Sequence, residues 1–220
     1  MIERIIQYFA IFFALILVLP LHEFAHAFTA VKCGDKTPKF AGRYTLNPLA
    51  HFDTVGLCCF VLARIGWAKP VPVNPYNFRN YKWGSFFVAI SGVLANYLLA
   101  FLIYPLFVLS LSIPEFGYFS YLFQHTLYFI FTLSLSFFAF NVLPIYPLDG
   151  FRVLEAFSKK RSKLYYCLRH YGSYILLGLM LLSVIADFSG FYSLNILGNA
   201  INYIVGYIKI PITAFWGLIL

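Results

Sequence analysis

Charge is scarce in this chain. Asp, Glu, Lys and Arg make up 11% of its 220 residues, against 61% apolar and 21% aromatic, which excludes an ordinary soluble domain, where about a quarter of residues are charged. Acid is scarcer still: eight Asp and Glu stand against sixteen Lys and Arg, a net charge of +8. A basic surplus can signal nucleic acid. Here the basic residues gather in loops between apolar runs, the distribution that the positive-inside rule describes for membrane proteins, so no nucleic-acid partner is expected. The four cysteines, Cys33, Cys58, Cys59 and Cys167, contain no C-x-x-C spacing, which argues against a metal knuckle and for reduced, structural thiols. There is no internal repeat and no low-complexity segment. The absences leave an all-α polytopic membrane protein in a lipid bilayer.

What is present bears this out along the chain. Residues 5–31 form the first apolar run, uncharged from Ile5 to Pro20 and longer than the roughly 20 residues a crossing helix needs. Cleavage as a signal peptide near Ala25–Ala30 would cut through a histidine motif, so the run is expected to be a retained helix. Trp83–Ser112, Phe119–Val142 and Tyr171–Phe188 are further spans, and the tail from Asn195, broken by Pro211, is either a fifth span or an amphipathic helix. Four to five transmembrane helices are therefore expected. Between the first two spans, Lys39–Leu46 alternates among turn formers and predicts a short β-hairpin. Thr54–Trp67 is too short for a span and suits a re-entrant or interfacial segment. The prolines of Lys69-Pro70-Val71-Pro72-Val73-Asn74-Pro75 exclude helix there.

Charge counting orients the chain. Eight basic residues lie between spans one and two, six between spans three and four, and none in loops 113–118 and 189–194. Both basic loops are expected to be cytoplasmic. The end of span one and the end of span three then reach the same leaflet.

Those two ends carry the chemistry. Leu21-His22-Glu23-Phe24-Ala25-His26 is an H-E-x-x-H pattern, and on a helix it places two imidazoles on one face, a turn apart, with a carboxylate beside the first. An ionised group at the end of a membrane segment is costly and marks a candidate functional site. Catalytic zinc takes three protein ligands and one water, so a third is needed. Thr29 and Lys32 stand where a metzincin would carry glycine and histidine. Glu3, Glu115 and Asp187 lie at the wrong leaflet, and Asp35 sits in a lysine-rich turn. Asp53, Asp149 and Glu155 remain. Asp149 is preferred, because Pro144 and Pro147 must break the helix before it, and unwound backbone at membrane depth is tolerated where it lines a cavity. His51 and Asp53 read as turn residues.

H-E-x-x-H at the end of one span, combined with Asn141-x-x-Pro144-x-x-Pro147-Leu148-Asp149-Gly150 at the end of a later one, resembles the site-2 protease family of intramembrane zinc metalloproteases. Gly42–Leu49 and Gly66–Pro75 resemble its compact bacterial branch without a PDZ domain. The similarity runs over about residues 15–155. It implies a single integral-membrane protease domain over 1–220, with a three-helix catalytic core (about 5–155) and C-terminal helices (about 156–220). It implies one Zn2+ per chain on His22, His26 and Asp149, Glu23 as general base, and Asn141 as a catalytic and substrate-binding amide. The substrate would be a transmembrane protein cut in or near its membrane helix, in the cell membrane near the cytoplasmic leaflet. Val93 departs from the family's proline in the Gly92-x-x-x-Asn96 stretch, so Asn96 reads as a helix-packing amide before a substrate-binding one. Tyr44, in the expected hairpin, would bind substrate by strand addition. Three alternatives stand beside this reading: a metal-ion transporter, a non-catalytic membrane-protein binder, and a protease that uses Glu155 as third ligand. A homo-oligomer stays open.

Overall fold

The computed structural model describes residues 2–56, 68–114, 117–158 and 162–220. In chain order its helices are α1 (Ile2–Cys33), α2 (Thr37–Phe40), α3 (Pro48–His51), α4 (Tyr81–Ser110), α5 (Tyr118–Val142), α6 (Asp149–Phe157), α7 (Lys163–Ser189) and α8 (Ile196–Gly217). Four of them, α1, α4, α5 and α7, are long and apolar enough to cross a membrane.

Helices α1, α4 and α5 pack pairwise into one core. Small residues make this approach close: Ala10, Ala14, Ala27 and Ala30 of α1 are fully buried, and in lipid such residues let helix backbones come together. Ala14 and Val18 meet Ile130 of α5 in the centre of the bundle, with Leu99, Ile103, Leu133 and Phe137 around them. Helix α8 covers a second cluster, its Ile212 buried against Ala100, Phe131 and Leu135. The Trp216 indole donates to Phe101 O (2.9 Å) and the Tyr97 hydroxyl to Ile208 O (3.3 Å). These contacts, on both sides of Pro211, hold α8 as one helix through the proline where the sequence suggested a break. Helix α7 buries little. It is tied down near its start by Tyr165, stacked on Phe151 of α6, and by Arg169, paired with Glu155.

The expected β-hairpin over Lys39–Leu46 is not there. Among the described residues the strand-like pairing is a single antiparallel bridge, Phe52 with Ala68. Asp35 overrides the alternation: its fully buried carboxylate accepts the Thr37 N–H (3.0 Å) and hydroxyl, and Pro38 follows inside the first turn of α2. Such side-chain-to-backbone bonding favours a turn over a ladder. The same carboxylate accepts the Asn74 N–H (2.7 Å) and the Asn77 amide (2.8 Å), stapling the proline-rich stretch to the end of α1. These donors outweigh the effect of burial, which alone would raise the Asp35 carboxyl, and hold it below its ordinary value. Of the re-entrant or interfacial segment expected over Thr54–Trp67, positions 57–67 lie outside the described residues. His51 and Asp53 serve turns, His51 Nε2 bonding Thr45 O (2.8 Å) and Asp53 accepting the Gly56 N–H (2.8 Å).

Candidate metal centre

His22 lies about 30 Å along α1 from Ile2, a full hydrocarbon thickness. It and His26 are buried, on the face of α1 turned toward α4 and α6. The ring nitrogens meet: His22 Nε2 and His26 Nε2 are 3.0 Å apart, and Asp149 Oδ2 is 3.3 Å from the first and 3.1 Å from the second. Among the described residues, these three form the one cluster of histidine, cysteine and carboxylate side chains able to hold a metal ion.

Asp149 arrives there because α5 cannot continue. Leu143, which precedes Pro144, is extended, and α5 ends at Val142. Asp149 then opens α6 without capping it, since the N-cap position is Leu148 and no side-chain cap bond is made. Gly150 is what lets the turn close, because a Cβ at that position would lie 2.1 Å from Val142 O.

The far side of the His26 imidazole shows what its near side wants. His26 Nδ1 is 2.7 Å from Val88 O, a carbonyl that can only accept, so Nδ1 carries the hydrogen and a neutral ring presents a bare lone pair at Nε2. That lone pair faces His22 Nε2 and a carboxylate oxygen that has no hydrogen-bond partner despite its burial. Acceptors converging at 3.0–3.3 Å call for a cation. The spacing matches the edge of roughly 3.3 Å that a tetrahedral ion with ligands at about 2.0–2.1 Å would impose.

Glu23 is next to the cluster and differently held. Its Oε2 accepts the Val71 N–H at 3.1 Å. In Pro70-Val71-Pro72 both flanking residues lack an N–H, so this bond uses the only backbone donor of that tripeptide. Asn141 and Asp149 line one cleft of about 360 Å³, walled by Ala89, Ile90 and Val93 of α4 and Val153 and Leu154 of α6. Asn141 Nδ2 donates one hydrogen to Phe137 O (3.0 Å), and its second remains for another acceptor. Glu155 stands apart, accepting from Tyr165 (2.8 Å) and Arg169. Tyr44 packs on Phe24 and Phe28, ring centroids 5.5 and 6.3 Å away, and residues 39–46 around it form no strand. Asn96 is fully buried against His22, with Nδ2 placed 3.2 Å from His22 Nδ1. Gly92, which the sequence marked only as the start of the Gly92-x-x-x-Asn96 stretch, has no room for a side chain, since a Cβ there would lie 2.4 Å from His26 Nε2. Its one signal was its place a turn before Asn96.

Fold and site together define a polytopic membrane protein with a buried His–His–carboxylate cluster fit for a metal ion. Residues 111–185 match peptidase family M50. The chain is 39% identical over 143 residues to a Bacillus subtilis (strain 168) protein named "Putative zinc metalloprotease YwhC", covering 64% of this chain and 65% of the relative. It is 32% identical over 142 residues to "Putative zinc metalloprotease Rip2" of Mycolicibacterium smegmatis (strain ATCC 700084 / mc(2)155), covering 62% and 52%. The chain thus spans less than two thirds of the length of these relatives. No solved structure matches it.

Proposed function

We propose that this chain is an intramembrane zinc metalloprotease, which hydrolyses a peptide bond in or near the transmembrane helix of a membrane-protein substrate. The observation that carries the reading is the convergence of His22, His26 and Asp149 at a membrane-helix end, with Glu23 beside them as an acid that is not part of the cluster. His22 Nε2, His26 Nε2 and an Asp149 oxygen would hold the zinc. Zinc, when bound, supplies Lewis-acid activation of water and of a carbonyl oxygen.

The chain's own groups do the rest. Val71 N–H fixes Glu23 through Oε2, leaving Oε1 to take a proton from the attacking water and pass it to the departing amine nitrogen. The spare Asn141 N–H, in the same cleft as Asp149, can donate to the carbonyl oxygen as charge develops there, a contribution worth about 3–4 kcal/mol for one well-placed donor. The apolar wall of Ala89, Ile90, Val93, Val153 and Leu154 suits the side chains of an unwound membrane helix. The basic-loop count supports a site at the cytoplasmic leaflet of the cell membrane.

The test is cleavage of single-pass model substrates by purified protein reconstituted in liposomes, alongside metal uptake by the same vesicles. Cleavage that depends on added zinc and is lost in Asp149→Ala supports the reading. Zinc accumulation without cleavage overturns it in favour of a transporter.

A further inference from the structure

Three residues of α4 spaced by one turn, Val88, Gly92 and Asn96, face the two histidines of α1. Each meets them differently. The Val88 carbonyl accepts from His26 Nδ1 at 2.7 Å. Gly92 provides the gap, because a Cβ there would lie 2.4 Å from His26 Nε2 and 2.7 Å from His22 Cε1. Asn96 reaches His22 Nδ1 at 3.2 Å, and both residues are buried, Asn96 completely.

The Asn96 amide is the informative one. With Nδ2 against the ring, its Oδ1 is buried without any hydrogen-bond partner, an expensive arrangement inside a membrane bundle. His22 turns Nε2 toward His26 and Asp149. A ring that offers its Nε2 lone pair to a cation carries its hydrogen on Nδ1, and an Nδ1–H set against an NH2 group would be two donors facing each other. Rotating the amide by 180° exchanges two nearly isosteric atoms. Oδ1 then accepts the Nδ1–H, and the orphaned carbonyl gains its donor.

We propose that Asn96 is a positioning residue for His22, its side-chain carbonyl fixing the tautomer and ring plane of that ligand as the Val88 backbone carbonyl fixes those of His26. The proposal rests on the cluster being a metal site. It separates Asn96 from a merely packing role and from substrate contact. It also gives the glycine and the asparagine one purpose: the first admits the H-E-x-x-H face of α1 to α4, and the second holds its far imidazole. Partners that orient metal-bound histidines typically set metal affinity by about 10- to 100-fold.

The experiment measures zinc affinity by chelator competition on purified full-length protein, with Co2+ absorption spectra as a second readout, for wild type, Asn96→Leu, Asn96→Asp and Asn96→Ala. Leucine keeps the volume and loses the acceptor, and aspartate keeps both. The expected result is an affinity loss of about 10- to 100-fold with an altered Co2+ spectrum in Asn96→Leu and Asn96→Ala, and recovery to within a few-fold in Asn96→Asp. Asn96→Ala serves if Asn96→Leu does not fold. Wild-type affinity in a monodisperse Asn96→Leu or Asn96→Ala protein overturns the proposal. If wild type itself binds no zinc, the metal-site reading fails first, and with it this inference.

Discussion

Replacing Gly92 by alanine tests how the two helices share the site. The added methyl would lie 2.4 Å from His26 Nε2 and 2.7 Å from His22 Cε1 and His26 Cε1, where ordinary contact is about 3.5 Å. Roughly 1 Å must be found. His26 cannot supply it by turning, since its other nitrogen is bound to Val88 on the same face of α4. Either the helices separate, opening gaps along the buried alanines of α1, or the imidazoles leave the cluster. Overpacking of this kind costs about 1–3 kcal/mol, and alanine returns roughly 1 kcal/mol in helix propensity. Folding stability should therefore fall by no more than about 2 kcal/mol. Displacement of a ligand by about 1 Å costs on the order of 100-fold in function, so metal binding and stability should part company. Chelator competition for zinc and thermal unfolding in the presence of chelator, run on the same preparation, measure both. A Gly92→Ala protein that binds zinc with wild-type affinity would refute the reasoning.

Three further outcomes follow from the geometry. Val71→Pro removes the N–H bound to Glu23 and should lower kcat about 10-fold with KM and zinc content unchanged, while Val71→Ala keeps the donor and the rate; equal kinetics in the two variants would contradict the positioning of Glu23. Asp149→Ala should lose zinc, whereas Glu155→Gln, which alters the contacts to Tyr165 and Arg169, should keep it, and the reverse pattern would move the third ligand to Glu155. Asp35→Asn should destabilise by about 2 kcal/mol near neutral pH through its charge-assisted bonds. Because the folded Asp35 carboxyl lies below its ordinary value, that advantage is full above about pH 4 and fades as pH falls through the folded value; an effect in chemical denaturation that does not shrink with acid would be inconsistent with it.

How legible all this was depended on the distance between the residues involved. His22 and His26 are four apart on one helix, so their alignment follows from helical period alone. The long apolar runs announced α1, α4, α5 and α7 for similarly local reasons, and Pro144 announced the end of α5. Lys39–Leu46 misled because alternation is a weak signal when a buried acid four residues upstream recruits the backbone into a turn. The stripe of Val88, Gly92 and Asn96 was hidden for another reason. Its meaning appears only when α4 is laid against α1, a tertiary pairing that no local pattern specifies. The same holds for the Val71 N–H, a backbone donor singled out by two prolines but aimed by the fold.

The central claim is that Glu23 performs proton transfer at a zinc held by its neighbours. Its most direct test compares cleavage of one reconstituted single-pass substrate by wild type and Glu23→Gln, with bound zinc quantified in both. The account predicts equal zinc and loss of cleavage by at least about 100-fold in the variant, the scale of a general base. Equal zinc with undiminished cleavage would contradict it.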